Sequence, residues 1–365
     1  MARRNGNGMA GKEKLLGVQY LRATAALMVA YFHLVNIQPA LAFEGALNSS
    51  RLPAGVWIFF VISGFIMYVT ARNLSPAQFV WRRIVRIVPL YWVLTLAVCV
   101  IAAMAPWALH RTDVTAGTLA RSLLFIPYHN TTQRGLLFPL LVPGWTLNYE
   151  MAFYALFALA LFARRYCAWI AVSALCLLAA VGMLHARPMM STFSGFYLSR
   201  RLLLFAAGIV LALTYERIRL PRVLCAALIL AGFWLLLANW QVAGAGHAAD
   251  FFGATAIVLG AVAWERQFGM PKLRALLLLG DASYSIYLVH LFAFGVTREI
   301  WKQMRWEGAA SVPAFGIVSM AAAVGLALVT YRLIERPALR LLTRGRRQIR
   351  QDVAPLRPAE IAGEA

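Results

Sequence analysis

The sequence predicts an all-α fold, a polytopic membrane helical bundle of about ten transmembrane helices with both termini cytoplasmic. Three observations carry this reading. The 365 residues are 61% hydrophobic and 13% charged, with a mean hydropathy of +0.69, whereas soluble domains run near half apolar and a quarter charged. The apolar residues gather into runs of span length, on the order of 20 residues for a bilayer core. The basic residues then alternate between successive connections, 24 on one side and 10 on the other, with Arg22 inside the first run. That bias marks the richer side as cytoplasmic.

The first run, residues 15–37, follows a basic segment holding Arg3, Arg4, Lys12 and Lys14. No small-residue cleavage site follows it, so it reads as a retained helix and not as a removed signal. Further runs lie at 55–71, 88–105, 145–163, 166–184, 196–215, 223–240, 250–264, 276–297 and 313–333. The connection at 106–144 is the longest and falls on the outer side, and its stretch Thr118–Ile126 suits a short interfacial helix. The chain thus divides into a basic cytoplasmic tail at 1–14, a transmembrane domain at 15–340, and a basic, then Pro- and Ala-rich tail at 341–365. That last tail is expected to be disordered and cytoplasmic.

This organisation excludes a soluble enzyme, a disulfide scaffold and a disordered chain. The net charge of +21 would point to nucleic acid in a soluble protein. Here the cations sit in short clusters between spans, where they set topology and attract anionic headgroups, so the lipid bilayer is the expected partner and nucleic acid is not. Cys99, Cys167, Cys176 and Cys225 all lie in apolar runs without metal-ligand spacing, and no metal is expected. Phosphate-cradling glycine loops, nucleophile elbows and zincin helices are absent from the sequence.

Ionisable groups inside spans cost several kcal/mol, so each one is a candidate for function. Arg22 and His33 stand 11 positions apart, which is 1100° of helix, or three turns plus 20°. They share one face, roughly 16 Å apart along the axis, and suit an extended anionic ligand. The structural alternative is a snorkelling Arg22 and a His33 bonded to a carbonyl. Arg83 and Arg86 are neighbours on a helix at the cytoplasmic boundary, as phosphate binders or as lipid contacts. Glu150 falls about one and a half turns into the fourth run, with Arg200 or Arg201 at similar depth as a candidate partner. Ser283, Tyr287 and His290 line one face at i, i+4, i+7, with interhelical hydrogen bonding as the alternative to a site. Glu335 reads as a structural ion-pair partner.

Several ordered segments then resemble one family. Tyr20 to His33 is similar to its Arg-x10-His element, Phe59-Phe-Val-Ile-Ser-Gly-Phe65 to its second-span signature, and Arg83-Ile-Val-Arg86 to its Arg-x-x-Arg element. Trp145 to Tyr154, Ser283 to His290 and Glu335-Arg336-Pro337 complete the order. The chain resembles the acyltransferase-3 integral membrane acyltransferases, most of all the branch modifying bacterial exopolysaccharides. Two positions depart. Gly55-Val56-Trp57 stands where the family often has Gly-Val-Asp, and Asn148 where small or apolar residues are common.

The resemblance implies an O-acyltransferase in a bacterial inner membrane, moving an acyl group, acetyl above all, from cytoplasmic acetyl-CoA to a sugar hydroxyl. Arg83, Arg86 and Arg22 would hold the acyl-CoA donor. His33 would act as general base or acyl carrier, with Glu150 orienting it or the acceptor. Trp145, Asn148, Tyr287 and His290 would face the glycan acceptor. Some relatives fuse an extracytoplasmic esterase-like domain. Without one, the core is expected to suffice or to work beside polysaccharide export machinery. A transporter or flippase of a lipid-linked glycan is the competing expectation, with the same polar groups lining its path.

Overall fold

A computed structural model describes residues 15–43, 47–109, 114–130, 136–185, 192–238, 245–308 and 310–342. The basic tail read at 1–14 and almost all of the tail at 341–365 lie outside the described residues. The described chain is nearly all helix, and its one β-ladder joins β1 (His129–Asn130) to β2 (Leu136–Leu137).

In chain order the helices are α1 (Leu16–Ile37), α2 (Gly55–Ala71), α3 (Pro76–Met104), α4 (Ala116–Leu123), α5 (Trp145–Ala160), α6 (Cys167–His185), α7 (Phe193–Tyr197) and α8 (Leu202–Thr214). There follow α9 (Arg222–Leu237), α10 (Ala245–Phe268), α11 (Arg274–Asp281), α12 (Ser283–Met304) and α13 (Ser311–Thr330). Among the described residues seven helical stretches are long and apolar enough to cross a membrane, or eight if the bent pair α11–α12 is one span. One of the seven, Val142–Leu184, contains both α5 and α6. They part at Arg164, whose φ of 41° no continuing α-helix adopts. α9, at 16 residues, is apolar but shorter. Large apolar side chains such as Trp107, Leu184, Val223, Leu230 and Ile317 stand exposed on the outside of the bundle, as lipid-facing positions do.

Local chemistry accounts for the element starts. Ser75 opens α3 with a capping box, its Oγ accepting from the Gln78 N–H at 3.3 Å while the Gln78 side chain accepts from the Ser75 N–H at 3.2 Å. Pro76 at the first helical position loses no hydrogen bond there. The helix expected at Thr118–Ile126 is present as α4, started two residues earlier by a reciprocal cap between Thr115 and Thr118.

Among the described spans the one containing α2 is the most enclosed, and α1 packs against it. α1 turns Ala23, Ala25, Ala26 and Ala30, all fully buried, against its neighbours. α2 meets α8 through two glycines: a Cβ on Gly64 would stand 2.1 Å from the Phe205 carbonyl oxygen, and one on Gly208 2.1 Å from that of Val61. Small residues allow such backbone approach where lipid supplies no hydrophobic drive for helix association. That crossing gives the Phe59–Phe65 segment a packing reason for its glycine, and it aims Ser63 towards α5.

Candidate functional site

A cavity of about 370 Å³ runs beside α2, lined along that helix from Val56 to Thr70. Fourteen positions of helix are roughly 21 Å, most of a bilayer core. Arg83 and Arg86 belong to α3, which enters from the Thr70 side, and Arg22 lies one turn along α1 from the contact of Ala25 with Gly55. The middle holds Glu150 of α5, and near the Val56 end stand Thr146 of α5 and Tyr287 of α12.

Its charged groups are individually placed. Glu150 Oε1 accepts from the Ser63 hydroxyl at 2.7 Å, and its Oε2 accepts from the Tyr154 hydroxyl at 3.0 Å. The Arg83 guanidinium carbon lies 6.0 Å from the Tyr154 ring centre and 5.7 Å from that of Phe79, and Arg83 Nε is buried without a hydrogen-bond partner. Arg86 pairs with Glu335 at 2.9 Å, and the Ser285 hydroxyl donates to the other Glu335 oxygen at 2.7 Å. A π-helical turn at Tyr331–Glu335 interrupts the helical stretch that runs from Ser311 to Leu342, and Glu335 in it is 2% exposed. Such turns are commonly found at functional sites. Glu335 was expected as an ion-pair partner, and the structure names Arg86 as the cation.

Past the Val56 end of the cavity two histidines meet. Gly55 packs on Ala25 and Val29 of α1, so His33 lies one further turn along α1. Its ring centre is 5.1 Å from that of His290, which is fully buried. His290 Nδ1 is 3.1 Å from the Ile286 carbonyl oxygen. A carbonyl only accepts, so Nδ1 carries the proton in the neutral ring and Nε2 is a bare acceptor. Nε2 is buried and has no hydrogen-bond partner among the described residues. Tyr287 separates this pair from the cavity. Its hydroxyl donates to the Pro143 carbonyl at 3.2 Å and lies 2.9 Å from Thr146 Oγ1, and its ring meets Phe59 edge-on at 5.9 Å.

Arg22, Arg83, Arg86, Glu150 and Tyr287 therefore share one cavity, and His33 and His290 form a couple beyond it. Trp145 and Asn148 do not line this cavity. Asn148 is 1% exposed and its amide has no hydrogen-bond partner among the described residues. One expectation about Glu150, its pairing with Arg200 or Arg201, differs from the geometry. No hydrogen bond joins Glu150 to His33. Its neighbours are Ser63 and Tyr154, and neither Arg200 nor Arg201 pairs with it. Arg201 instead sits between Trp57, 4.4 Å from its ring centre, and Trp145, 5.6 Å away. Equal depth on two helices does not set azimuth, and α8 turns Arg201 to the opposite side of α2.

Ser63, Tyr154 and Ser285 were not singled out from the sequence. A hydroxyl in α2, whose other residues are nearly all apolar, was the available signal for Ser63. Among the described residues no group of three or more His, Cys, Asp or Glu side chains is arranged to hold a metal.

Comparison with known proteins agrees with this architecture. The family model described as an acyltransferase domain matches residues 15–332. The chain is 36% identical over 306 residues to the exopolysaccharide production protein ExoZ of Rhizobium meliloti, covering 79% of this chain and 89% of that protein. It is 27% identical over 325 residues to the acyltransferase MdmB of Streptomyces mycarofaciens, covering 80% and 82%. No solved structure gives a significant match. A domain match over most of the chain, together with these relatives, places the protein in the acyltransferase-3 family of multi-pass membrane proteins and makes it an acyltransferase.

Proposed function

We propose that the protein is a transmembrane O-acyltransferase that takes an acyl group, acetyl above all, from cytoplasmic acyl-CoA and places it on a sugar hydroxyl of an exported polysaccharide or its lipid-linked precursor. One observation supports this most: a cavity that follows α2 for roughly 21 Å, cationic near one end and closed near the other by Tyr287 against the His33–His290 pair. The name of ExoZ supports the polysaccharide as acceptor class.

The donor suits the residues present. Arg83, with its buried and unpartnered Nε, and Arg22 offer donors for phosphate oxygens. The walls formed by Phe59, Ile62, Ile66 and Met67 are apolar, as a pantetheine arm requires. When bound, acyl-CoA supplies an activated thioester carbonyl. Arg86 is committed to Glu335 and shapes the cationic end of the cavity as half of an ion pair. Glu150, held by Ser63 and Tyr154, balances the arginines in the middle of the cavity.

At the far end His33 accepts the proton of the acceptor hydroxyl as that oxygen bonds the thioester carbonyl carbon, the work of a general base. It returns the proton to the sulfur as the C–S bond breaks and CoA leaves as the free thiol. His290, its Nδ1–H anchored on Ile286, packs its ring against that of His33 and keeps Nε2 as an unpartnered buried acceptor. The two rings are too close for both to be cationic at low cost, which keeps a neutral base available.

For topology, ten crossings with both termini cytoplasmic follow if α5 and α6 are counted separately, α11–α12 as one span and α9 as a short span. The 24-to-10 distribution of Lys and Arg supports that orientation, and the bacterial relatives support an inner membrane. The proposed function is tested with inverted membrane vesicles carrying this protein and given labelled acetyl-CoA at their cytoplasmic face. Label on glycan inside the vesicle supports it, and label confined to free acetate overturns it.

A further inference from the structure

A second cavity, of about 660 Å³, lies on the other side of α2 and α5. Trp57 lines it while the adjacent Val56 lines the first cavity, and Trp145 leads towards it through Arg201 while the adjacent Thr146 lines the first. It sits at the end of the bundle where α2, α5, α8 and α10 begin, the end at which α1 carries His33. Its polar lining is Ser199, Arg200 and Arg201 at the junction of α7 and α8, with His247 and Asp250 of α10.

The charge there is unbalanced. Asp250 is engaged by Arg51 at 2.6 Å. Arg200 and Arg201 have no ion-pair partner among the described residues. Arg201 is also held in an unusual way, its guanidinium between the rings of Trp57 and Trp145, 4.4 and 5.6 Å from their centres. Aromatic faces attract the cation and fix its plane, yet they take up none of its N–H groups, which point along the edge. Nη1 is buried and makes no hydrogen bond among the described residues. A buried guanidinium donor is costly to leave unmet. The volume admits a sugar unit.

We propose that this cavity binds a carboxylate-bearing sugar of the acceptor glycan, with the fixed edge of Arg201 as the bidentate fork and Arg200 and Ser199 beside it. A planar fork and a planar carboxylate match in geometry as well as charge. This rests on the acyltransferase acting on a glycan, and it adds what the glycan must carry: an acidic unit near the acylated sugar, held across α2 from the donor cavity. The enzyme would thereby distinguish acidic from neutral glycans before any acyl transfer.

The test is a binding measurement that needs no acyl donor. Purified full-length protein in nanodiscs of zwitterionic lipid is titrated with a glucuronate-containing tetrasaccharide and with the same oligosaccharide after reduction of its carboxyl to an alcohol. The expected result is a preference on the order of ten-fold for the acid form, the usual worth of one charge-assisted pair. That preference is lost in Arg201→Gln and largely lost in Arg201→Lys, which keeps charge without the fork. Arg200→Gln, on an exposed side chain, leaves the aromatic stack intact. It lowers the preference by a smaller factor and decides the matter if Arg201 variants fail to fold. Equal affinity for the two glycans, or an undiminished preference in both Arg201→Gln and Arg200→Gln, overturns the proposal. So does competition by glycerol phosphate with no binding of the acid glycan, which would assign the cavity to a lipid headgroup. If the acid preference stands while labelled acetyl-CoA yields no acylated glycan, the binding site holds and the reading of the reaction fails.

Discussion

The imidazoles of His33 and His290 face each other with ring centres 5.1 Å apart and planes 33° from parallel, one from α1 and the other from α12. Two sequence segments separated by more than 250 residues supply this couple, and His290 has its Nδ1 tied to the Ile286 carbonyl at 3.1 Å. A role for His290 through His33 has a distinct signature. His290→Ala is expected to lower glycan acylation about a hundred-fold, toward the low end of general-base effects, with the KM for acyl-CoA unchanged. His290→Gln, whose amide oxygen takes roughly the place of Nε2 as an acceptor, should recover part of the rate. Initial rates at saturating donor check this, and equal losses in both variants with a raised donor KM would assign His290 to packing alone.

The Arg86–Glu335 pair carries a stability prediction. Glu335 is 2% exposed and is also bonded to Ser285. Glu335→Gln leaves Arg86 without its counter-charge and should cost about 3 kcal/mol, the lower end for a broken buried pair because the Arg86 side chain is 27% exposed. The double variant with Arg86→Gln should be more stable than Glu335→Gln alone. Thermal unfolding in detergent measures both, and a double variant as unstable as the sum of the singles would show the pair to be uncoupled.

Arg83 has no ion pair among the described residues and lies over Tyr154 and Phe79. Arg83→Ala should weaken acyl-CoA binding about ten-fold, as expected for one charge-assisted phosphate contact. Arg86→Ala should shift affinity less and stability more. Calorimetric titration with acetyl-CoA distinguishes them. An unchanged Kd for Arg83→Ala would return that residue to contact with lipid headgroups.

The crossing of α2 and α8 predicts a packing effect remote from charge. Gly64→Ala would set a methyl 2.1 Å from the Phe205 carbonyl oxygen, a backbone atom that a side-chain rotation cannot move aside. The expected cost is about 3 kcal/mol, at the upper end for overpacking. It is read as reduced folded yield and a lowered Tm. Gly325→Ala, where a Cβ meets nothing within 4 Å, should be neutral.

Much of this arrangement was legible in the sequence because one period governs it. At 100° per residue Arg22 and His33 had to share a face of α1, and Ser283, Tyr287 and His290 a face of α12. Apolar runs located the helices, and the family motifs marked the residues now gathered round α2. Relations between helices were not legible. The 75° bend between α11 and α12 has no counterpart in a hydrophobic period, so the meeting of His290 with His33 was not foreseeable from spacing. Glu150 and Arg201 have similar depth, which made them look like partners, but depth leaves rotation about the helix axis open. Glu150 turns to Ser63 and Tyr154, Arg201 to two tryptophans. Trp57, where the family often carries an acid, proves to be one of those two rings. The break at Arg164 was legible, because Arg164 and Arg165 interrupt the apolar sequence between the runs at 145–163 and 166–184, and there the backbone leaves the helical region with a φ of 41°.

The most direct measurement compares purified wild-type protein with His33→Ala, each reconstituted with glycan acceptor and acetyl-CoA labelled in its acetyl group. Wild type should transfer label to glycan, and His33→Ala should lose that transfer by at least about a hundred-fold while binding acetyl-CoA as wild type does. Undiminished transfer by His33→Ala would contradict catalysis at the His33–His290 pair.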